Sequence, residues 1–516
     1  MRNTLATKLI TLLSLISLGS HAFAGNLSEL EIFERCFKRM VRNIPESNDA
    51  LWVKVQKGEL KGAVACMQLF DKAKIGSSGR IASVNDVQAR AILRTFNDFH
   101  GSWFQQRVSE NGQTQQIRTF GLINDLEEPQ LFVTRALFAG KAYRSIVTEK
   151  TSLHGVRVRP NDKKNASIFR AQRLVAYPTE LTAFTNVNEL RIAYRAGANT
   201  DREIVPDGRI ITVGELVGIK EMPIFTLDSI AVPGRTTAIG SPDISAEARA
   251  AASTKVALNE SFGGGIVGSP SFIITNANLP PGYKATAPTD ELYQTNRVLT
   301  SRVYEDLLCH QLPTLTEQDV KDMLIANSPH AFHRQKTCMV CHAQIDPMAS
   351  VYRNFYVGAS AARLEEEGSQ QVGLATYAVT RFPATAGAKA YAETAPEGYV
   401  RYRPFRSDKV TTTRVTSVAQ IGQALSGSKD LYECAAKRYY QFFTGIDVPL
   451  QSIPANPKNA TAEVKAKLAM DRKHQAFVLQ LAKNLQSNQN LRGLVNSIVS
   501  SSQFKSRDFQ SAVEAK

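Results

Sequence analysis

Apolar side chains recur every three or four positions in the first part of the chain, a spacing that predicts amphipathic helices. Two stripes follow one another, with Leu27, Leu30, Phe33 and Met40 in the first and Ala63, Cys66, Met67 and Leu69 in the second. The same spacing continues over 84–108 and over 127–138. The pattern therefore predicts an N-terminal helical domain over 25–150.

The end of the sequence shows the same periodicity. It predicts helices over 415–426, 429–444, 462–488 and 491–502. A glycine follows the second of these stretches, and glycine commonly ends a helix because it adopts a left-handed backbone at no steric cost. We therefore predict a C-terminal helical domain over 414–516, and a mainly α fold class.

The periodicity weakens between these domains. Prolines, threonines and glycines interrupt 151–260, where only 189–196 and 210–213 look regular. We interpret this stretch as a loop-rich but ordered middle segment, because its apolar content is too high for disorder. A second stretch, 366–413, is rich in Ala, Thr and Pro and is predicted to be an irregular insertion.

The first residues have the pattern of a secretory signal peptide. Arg2 and Lys8 precede an apolar run over 9–18 that is too short to span a bilayer, and a small-x-small cleavage site follows at 22–24. A buried N-terminal helix is the alternative, but it explains neither the charges nor the cleavage site. We therefore predict a signal peptide over 1–24 and a periplasmic or secreted protein. No later segment is apolar enough to predict a transmembrane helix.

The most specific motif is the run Cys338-Met339-Val340-Cys341-His342. Two thiols three residues apart, followed at once by a histidine, match the attachment site of a c-type haem. The thiols lie on one helical face and can reach one porphyrin, while the imidazole of His342 becomes an axial ligand of the iron. A redox dithiol and half of a zinc site are the alternatives. We predict one covalent haem c in a haem-binding region over 261–365.

Four cysteines remain, and they are expected to form disulfides in the oxidising compartment that an exported protein reaches. They are Cys36, Cys66, Cys309 and Cys434, which allow three pairings. The local choice joins Cys36 to Cys66 in a helical hairpin and leaves Cys309 for Cys434. Four independent buried thiols are the alternative.

The net charge of +15 narrows the choice of partner. It favours an acidic redox partner, an anionic membrane surface to which the protein binds peripherally, or an acidic polymer. Nucleic acid is not expected, because the basic residues are scattered and form no dense run with aromatic residues. No hydrolase motif is present in the sequence.

The residues around the motif resemble the planctomycete-type cytochromes, which are exported single-haem proteins. The stretch 333–347 carries a histidine five positions before the first cysteine and an Asp-Pro pair after the motif, and Asn354-Phe355 follows. The stretches 307–313 and 433–445 are similar to helical elements of the same family. The resemblance covers about the last half of the chain and implies a mainly helical, cytochrome c-like haem region. The chain departs from the family at 348–350, where the family has a leucine, a glycine and a phenylalanine.

The second axial ligand decides between functions, because a thioether suits electron transfer and a vacant site permits oxygen or peroxide chemistry. Met348 is the candidate distal ligand, and His333 is the residue of the family-like pattern that could bind the cofactor. Arg334 and Lys336 are candidate partners of the haem propionates. We predict an electron-transfer cytochrome; a haem enzyme or sensor, and a binding protein with a secondary haem, are the alternatives.

Overall fold

The computed structural model describes the side chains of 25–104, 125–158, 215–221, 263–276, 297–328, 330–352, 396–455 and 460–507, apart from a few positions, and the backbone of further strands between them. The signal peptide predicted over 1–24 and the Asn354-Phe355 pair lie outside the described residues.

The described chain is mainly helical, which confirms the predicted fold class. In chain order the helices are α1 (Glu29–Val41), α2 (Ala50–Gln56), α3 (Gly62–Asp71), α4 (Val87–Gly101), α5 (Glu128–Phe138), α6 (Ser145–Thr148), α7 (Pro270–Asn276), α8 (297–308), α9 (Lys336–Ala349), α10 (Val418–Ser426), α11 (Lys429–Thr444), α12 (Ala462–Asn488), α13 (Leu491–Val499) and α14 (Ser502–Lys505).

The described residues divide into two compact units. The first unit contains those up to Lys72 and those from Ala435 onwards, and the second unit contains those from Ala73 to Cys434. The division falls inside α11. The first unit is therefore assembled from two stretches that are far apart in the sequence.

In the first unit, helix α1 begins with a capping box. The backbone amide of Ser28 donates to the carboxylate of Glu31 over 2.7 Å, and the Ser28 hydroxyl accepts from the Glu31 amide over 3.3 Å. These bonds satisfy amides that have no partner within the helix. A disulfide between Cys36 and Cys66, with the Cα atoms 5.8 Å apart, then joins α1 to α3. This pairing is the local choice predicted from the sequence.

The two stretches of the first unit meet beside α14. The amide of Leu27 donates to the carbonyl of Lys505 over 2.8 Å. The guanidinium of Arg35 donates to the carbonyls of Phe504 and Ser506, each over 2.7 Å. Residues 469 positions apart are thus held by backbone and charge-assisted hydrogen bonds.

In the second unit, helices α4 and α5 pack through aromatic and polar contacts. The rings of Phe96 and Phe138 meet edge to face with centroids 5.4 Å apart. Beside them the Nδ1 atom of His100 lies 2.8 Å from the hydroxyl of Thr134. The ring of His100 also contacts Trp103, with centroids 5.3 Å apart. His100 is thus an internal packing residue with a polar partner.

We expect acidification to destabilise the second unit through His100. Its imidazole is fully buried, and burial lowers its pKa well below the ordinary value. Below the ordinary histidine pKa of about 6.5, the unfolded chain binds a proton that the folded chain does not. The free energy of unfolding therefore falls with falling pH, by up to about 1.4 kcal/mol per pH unit. Urea unfolding at several pH values, followed by Trp103 fluorescence in a Trp52→Phe background, measures the slope.

Two variants test whether His100 or another titratable group causes this pH dependence of the free energy of unfolding. His100→Gln should flatten the slope below the unfolded pKa, because the amide does not titrate. His474→Gln changes a buried histidine of the first unit and should leave the slope seen by Trp103 in place. An unchanged slope in His100→Gln would show that another group takes up the proton.

The end of α8 is fixed by a disulfide and by strand contacts. The helix adopts π-helical hydrogen bonding over Val303–Leu307. The hydroxyl of Tyr304 donates to the carbonyl of Arg401 over 3.0 Å. Directly after the helix, a disulfide joins Cys309 to Cys434, with the Cα atoms 5.4 Å apart. The four cysteines outside the haem motif are therefore paired as the sequence predicted.

The strands form three sheets. In chain order they are β1 (Ser152–Val158), β2 (Phe169–Arg173), β3 (Leu181–Ala183), β4 (Leu190–Ala196), β5 (Arg202–Ile204), β6 (Ile210–Thr212), β7 (Glu215–Met222), β8 (Tyr356–Glu367), β9 (Gln370–Thr380), β10 (Gly398–Tyr402) and β11 (Thr411–Val415). Antiparallel pairs join β1 to β7 and β10 to β11, and the order β6-β5-β2-β4-β9-β8, with β3 beside β4, gives a seven-stranded sheet.

Four of these strands lie where the sequence predicts other structure. Strands β4 and β6 coincide with the two regular stretches of the middle segment. Strands β9, β10 and β11, however, fall in the stretch that was expected to be irregular, and β8 begins within the haem-binding region. The register of β4 on β9 pairs Leu190 with Tyr377. This distant pairing leaves no trace in local periodicity. The pairs β8–β9 and β10–β11 are local instead, and the Ala, Thr and Pro content of the stretch does not indicate them.

Candidate functional site

The haem motif lies on helix α9. Cys338 and Cys341 are one helical turn apart, and both thiols are free and half-buried. The opposite face of α9 is buried: Met339 and Ala343 pack against Leu315 in a small apolar cluster. This packing turns the motif side of the helix away from the core, so that both thiols lie on one accessible face.

A polar contact fixes the position of α9. The side-chain oxygen of Gln344 accepts from the amide of Thr314 over 2.9 Å, and its amide nitrogen donates to the Thr314 hydroxyl over 2.7 Å. Gln344 is fully buried. A buried amide with both ends bonded resists rotation of the helix. The motif residues are therefore held in one orientation.

The imidazole of His342 is bound to a carboxylate on its own helix. Its Nδ1 atom lies 3.0 Å from Oδ2 of Asp346, one turn further along. An ionised carboxylate only accepts, so Nδ1 carries the proton and Nε2 is left as the ligating atom. Among the described residues, none forms a hydrogen bond with this Nε2 atom.

The carboxylate of Asp346 is in turn held by Arg297 of helix α8. The Nε and Nη2 atoms of Arg297 donate to its two oxygens over 2.6 and 3.2 Å. Burial acts to raise the pKa of Asp346, but the hydrogen bonds from His342 and Arg297 outweigh it, so the pKa lies below the ordinary value. Asp346 is therefore ionised at neutral pH.

An aromatic ring covers one face of the His342 imidazole. The ring of Phe332 stacks on that of His342 with centroids 4.3 Å apart and an interplanar angle of 20°. The guanidinium of Arg297 lies over the same Phe332 ring, 4.9 Å from its centroid. Stacking covers the face of the imidazole and leaves its Nε2 edge open. Phe332 thus limits rotation of His342 without occupying its ligating position.

The predicted site residues before the motif lie in the same cluster. Nε2 of His333 is 3.9 Å from Oδ2 of Asp346, and its Nδ1 is 2.8 Å from the hydroxyl of Ser328. Burial lowers the pKa of His333, although the charge of Asp346 acts in the opposite direction. Arg334 is exposed and donates to the carbonyl of Ser328 over 2.8 Å. The structure therefore brings His333 close to the carboxylate that holds His342, whereas Arg334 contacts the same Ser328 as His333.

Met348 was predicted as a candidate distal ligand, and its placement disfavours that role. It is fully buried and follows His342 by six positions on the same helix. Six residues advance a helix by about 9 Å and rotate it by about 240°. Two axial ligands must face each other across one porphyrin, which side chains so placed on a continuous helix cannot do. Met348 is better explained as a core residue.

The donor set fits a c-type haem. It consists of two free thiols on one helical face and an imidazole with an open Nε2 atom. Burial, and to a lesser degree Cys338, raise the pKa of the Cys341 thiol. A redox dithiol needs a thiolate, which a raised pKa makes scarcer, so this shift disfavours that alternative. Within the described residues, no group of three or more His, Cys, Asp or Glu side chains is arranged to hold a metal ion.

Sequence reasoning missed the role of Asp346 and the whole contribution of Arg297 and Phe332. In the sequence, Asp346 stands out only as part of the Asp-Pro pair. Its position four residues after His342 was the available signal, because residues four apart share a helical face. No comparable signal links Arg297 to Asp346, which lie 49 positions apart.

Comparisons with known proteins add no relative. No family model, no curated protein and no solved structure matches the chain. Within the described part of the chain, none of the helices has the length and apolarity needed to cross a membrane.

Proposed function

We propose that this protein is an exported c-type cytochrome that carries one covalent haem and transfers electrons. The observation that supports this proposal is the contrast among its cysteines. Four of them form disulfides, whereas Cys338 and Cys341 are free, half-buried and one turn apart beside His342. Free thiols so close together in an otherwise oxidised protein are what a haem attachment site requires.

Each part of the site has a defined task. The thiols of Cys338 and Cys341 would hold the haem through its two vinyl groups. His342 would bind the iron through Nε2, and Asp346 would keep the imidazole in the tautomer that leaves Nε2 free to ligate. The exposed Arg334 and Lys336 are available to pair with propionates. When bound, the haem supplies a one-electron couple of iron.

The disulfides, the N-terminal sequence pattern and the net charge support a location and a class of partner. The disulfides and the N-terminal sequence pattern support a periplasmic or secreted location. The net charge of +15 favours an acidic redox partner protein, or peripheral contact with an anionic surface. We propose no nucleic acid as a partner.

The proposal is tested on protein exported from a host that attaches c-type haem. After denaturation and acid–acetone extraction, the polypeptide should keep one haem, as measured by its pyridine haemochrome spectrum and by mass. Cys338→Ala/Cys341→Ala should lose all covalent haem. The matched control Cys36→Ala/Cys66→Ala removes two cysteines from the other unit and should keep it. Stoichiometric zinc, or a reversible dithiol without haem, would overturn the proposal.

Electron transfer is tested separately, on the reduced protein. An axial ligand on each side of the iron should give a low-spin spectrum that carbon monoxide does not change. A high-spin spectrum that shifts with carbon monoxide would instead assign a haem enzyme or sensor. Either outcome leaves the covalent attachment itself unaffected.

A further inference from the structure

We propose that Asp346, held by Arg297, makes His342 an electron-rich axial ligand and thereby lowers the reduction potential of the haem. In this role Asp346 is a positioning residue. The inference rests on the proposed function, because it concerns the same histidine, but it adds the direction in which the protein tunes its cofactor.

The geometry favours a strong and directed hydrogen bond. The Nδ1–Oδ2 distance of 3.0 Å joins side chains that are 21% and 15% exposed, so water competes weakly for the carboxylate. Arg297 holds both oxygens of that carboxylate, and its own side chain is 18% exposed. A charged acceptor in a site of low dielectric constant bonds more strongly than one in water.

The effect on the iron follows from charge. A carboxylate that draws the Nδ1 proton towards itself places negative charge on the imidazole and raises the basicity of Nε2. A more basic ligand stabilises ferric iron over ferrous iron, so the potential falls. A histidine bonded to a neutral carbonyl would lack most of this charge.

Arg297 moderates the effect. Its guanidinium neutralises part of the charge on Asp346 and holds both oxygens of the carboxylate. Phe332 contacts both partners, since it stacks on His342 and lies under Arg297. Asp346, Arg297 and Phe332 together hold His342 in one orientation. If Asp346 serves only to join α8 to α9, replacing it should leave the reduction potential unchanged.

Three variants separate the two readings by potentiometric titration of the haem-loaded protein. Asp346→Asn should shift the reduction equilibrium at least tenfold towards the ferrous form, which is about 59 mV for one electron. Arg297→Gln should shift it in the opposite direction. Asp346→Glu keeps the charge but displaces the carboxylate, and it should shift the equilibrium in the same direction as Asp346→Asn.

A second readout reports the imidazole directly. The g values of ferric protein in electron paramagnetic resonance respond to the charge on the axial imidazole, and they should change in Asp346→Asn and Asp346→Glu. Wild-type potential and g values in Asp346→Asn would overturn the inference. A shift in Asp346→Asn with wild-type values in Asp346→Glu would assign a charge effect through space, which also overturns it.

The order of the measurements distinguishes a failure of the proposed function from a failure of the inference about Asp346. Covalent haem in the unmutated protein is measured first, and its absence would defeat the proposed function. If haem is present and the variants keep the wild-type potential, only the present inference fails. If Asp346→Asn does not fold, Asp346→Glu still decides, because it keeps the charge and displaces the carboxylate from His342.

Discussion

Replacing His342 with alanine is expected to remove the axial imidazole while covalent haem persists. The thioether bonds depend on Cys338 and Cys341, so the haem content after denaturation should stay near that of the unmutated protein. The iron loses one strong-field ligand, so the reduced spectrum should lose its low-spin bands and become sensitive to carbon monoxide. Added imidazole should restore the original spectrum. Absorption spectra of the purified, exported protein check each of these results.

The matched control is His330→Ala. His330 lies in the same segment and stacks on Phe332, with centroids 5.3 Å apart. Its replacement should leave the spectrum unchanged. A wild-type spectrum in His342→Ala would show that another residue is the axial ligand, and His333 would be the next to test.

Removing the disulfide between Cys309 and Cys434 is expected to cause the largest loss of stability in the second unit. The two cysteines are 125 positions apart, whereas Cys36 and Cys66 are 30 apart. In the chain-entropy model, a cross-link stabilises by restricting the unfolded chain, by about 5 kcal/mol for the longer loop and about 4 kcal/mol for the shorter one. Double alanine variants of each pair should lose free energy of unfolding in that order.

The two tryptophans allow each unit to be followed by itself. Trp52 belongs to the first unit and Trp103 to the second. Urea unfolding of the Trp103→Phe protein therefore reports the first unit, and it is measured with and without the Cys36–Cys66 disulfide. Unfolding of the Trp52→Phe protein reports the second unit, and it is measured with and without the Cys309–Cys434 disulfide. Equal losses for the two pairs, or a larger loss for Cys36–Cys66, would contradict the entropic account and indicate that native packing around the bridges dominates.

Much of the helical fold could be predicted, because helix periodicity is a local property. The stripe through Phe33 and Met40 became the buried face of α1, and the C-terminal predictions agree with α10 to α13 within a few residues. The cysteine pairing was also accessible, since few combinations existed. The pairing of β9 with β4 was not, because it joins residues almost two hundred positions apart.

The candidate site likewise contains residues that the sequence predicts and residues that it does not. Cys338, Cys341 and His342 form one short motif, so their spacing alone predicted their shared helix. The residues that control His342 come from elsewhere. Arg297 reaches Asp346 only because α8 packs beside α9, and Phe332 reaches the imidazole from the preceding turn. Positions of that kind require tertiary structure. The haem, export and the family resemblance stay predictions.

The joining of Leu27 and Arg35 to residues beyond position 503 has a consequence for biosynthesis. These partners are made about 470 to 480 positions apart, which at typical synthesis rates corresponds to roughly 20 to 100 s. During that interval the helices of 29–71 have none of their late partners. The bridge between Cys36 and Cys66 needs only this early segment, so it can hold the nascent hairpin together until the final helices emerge.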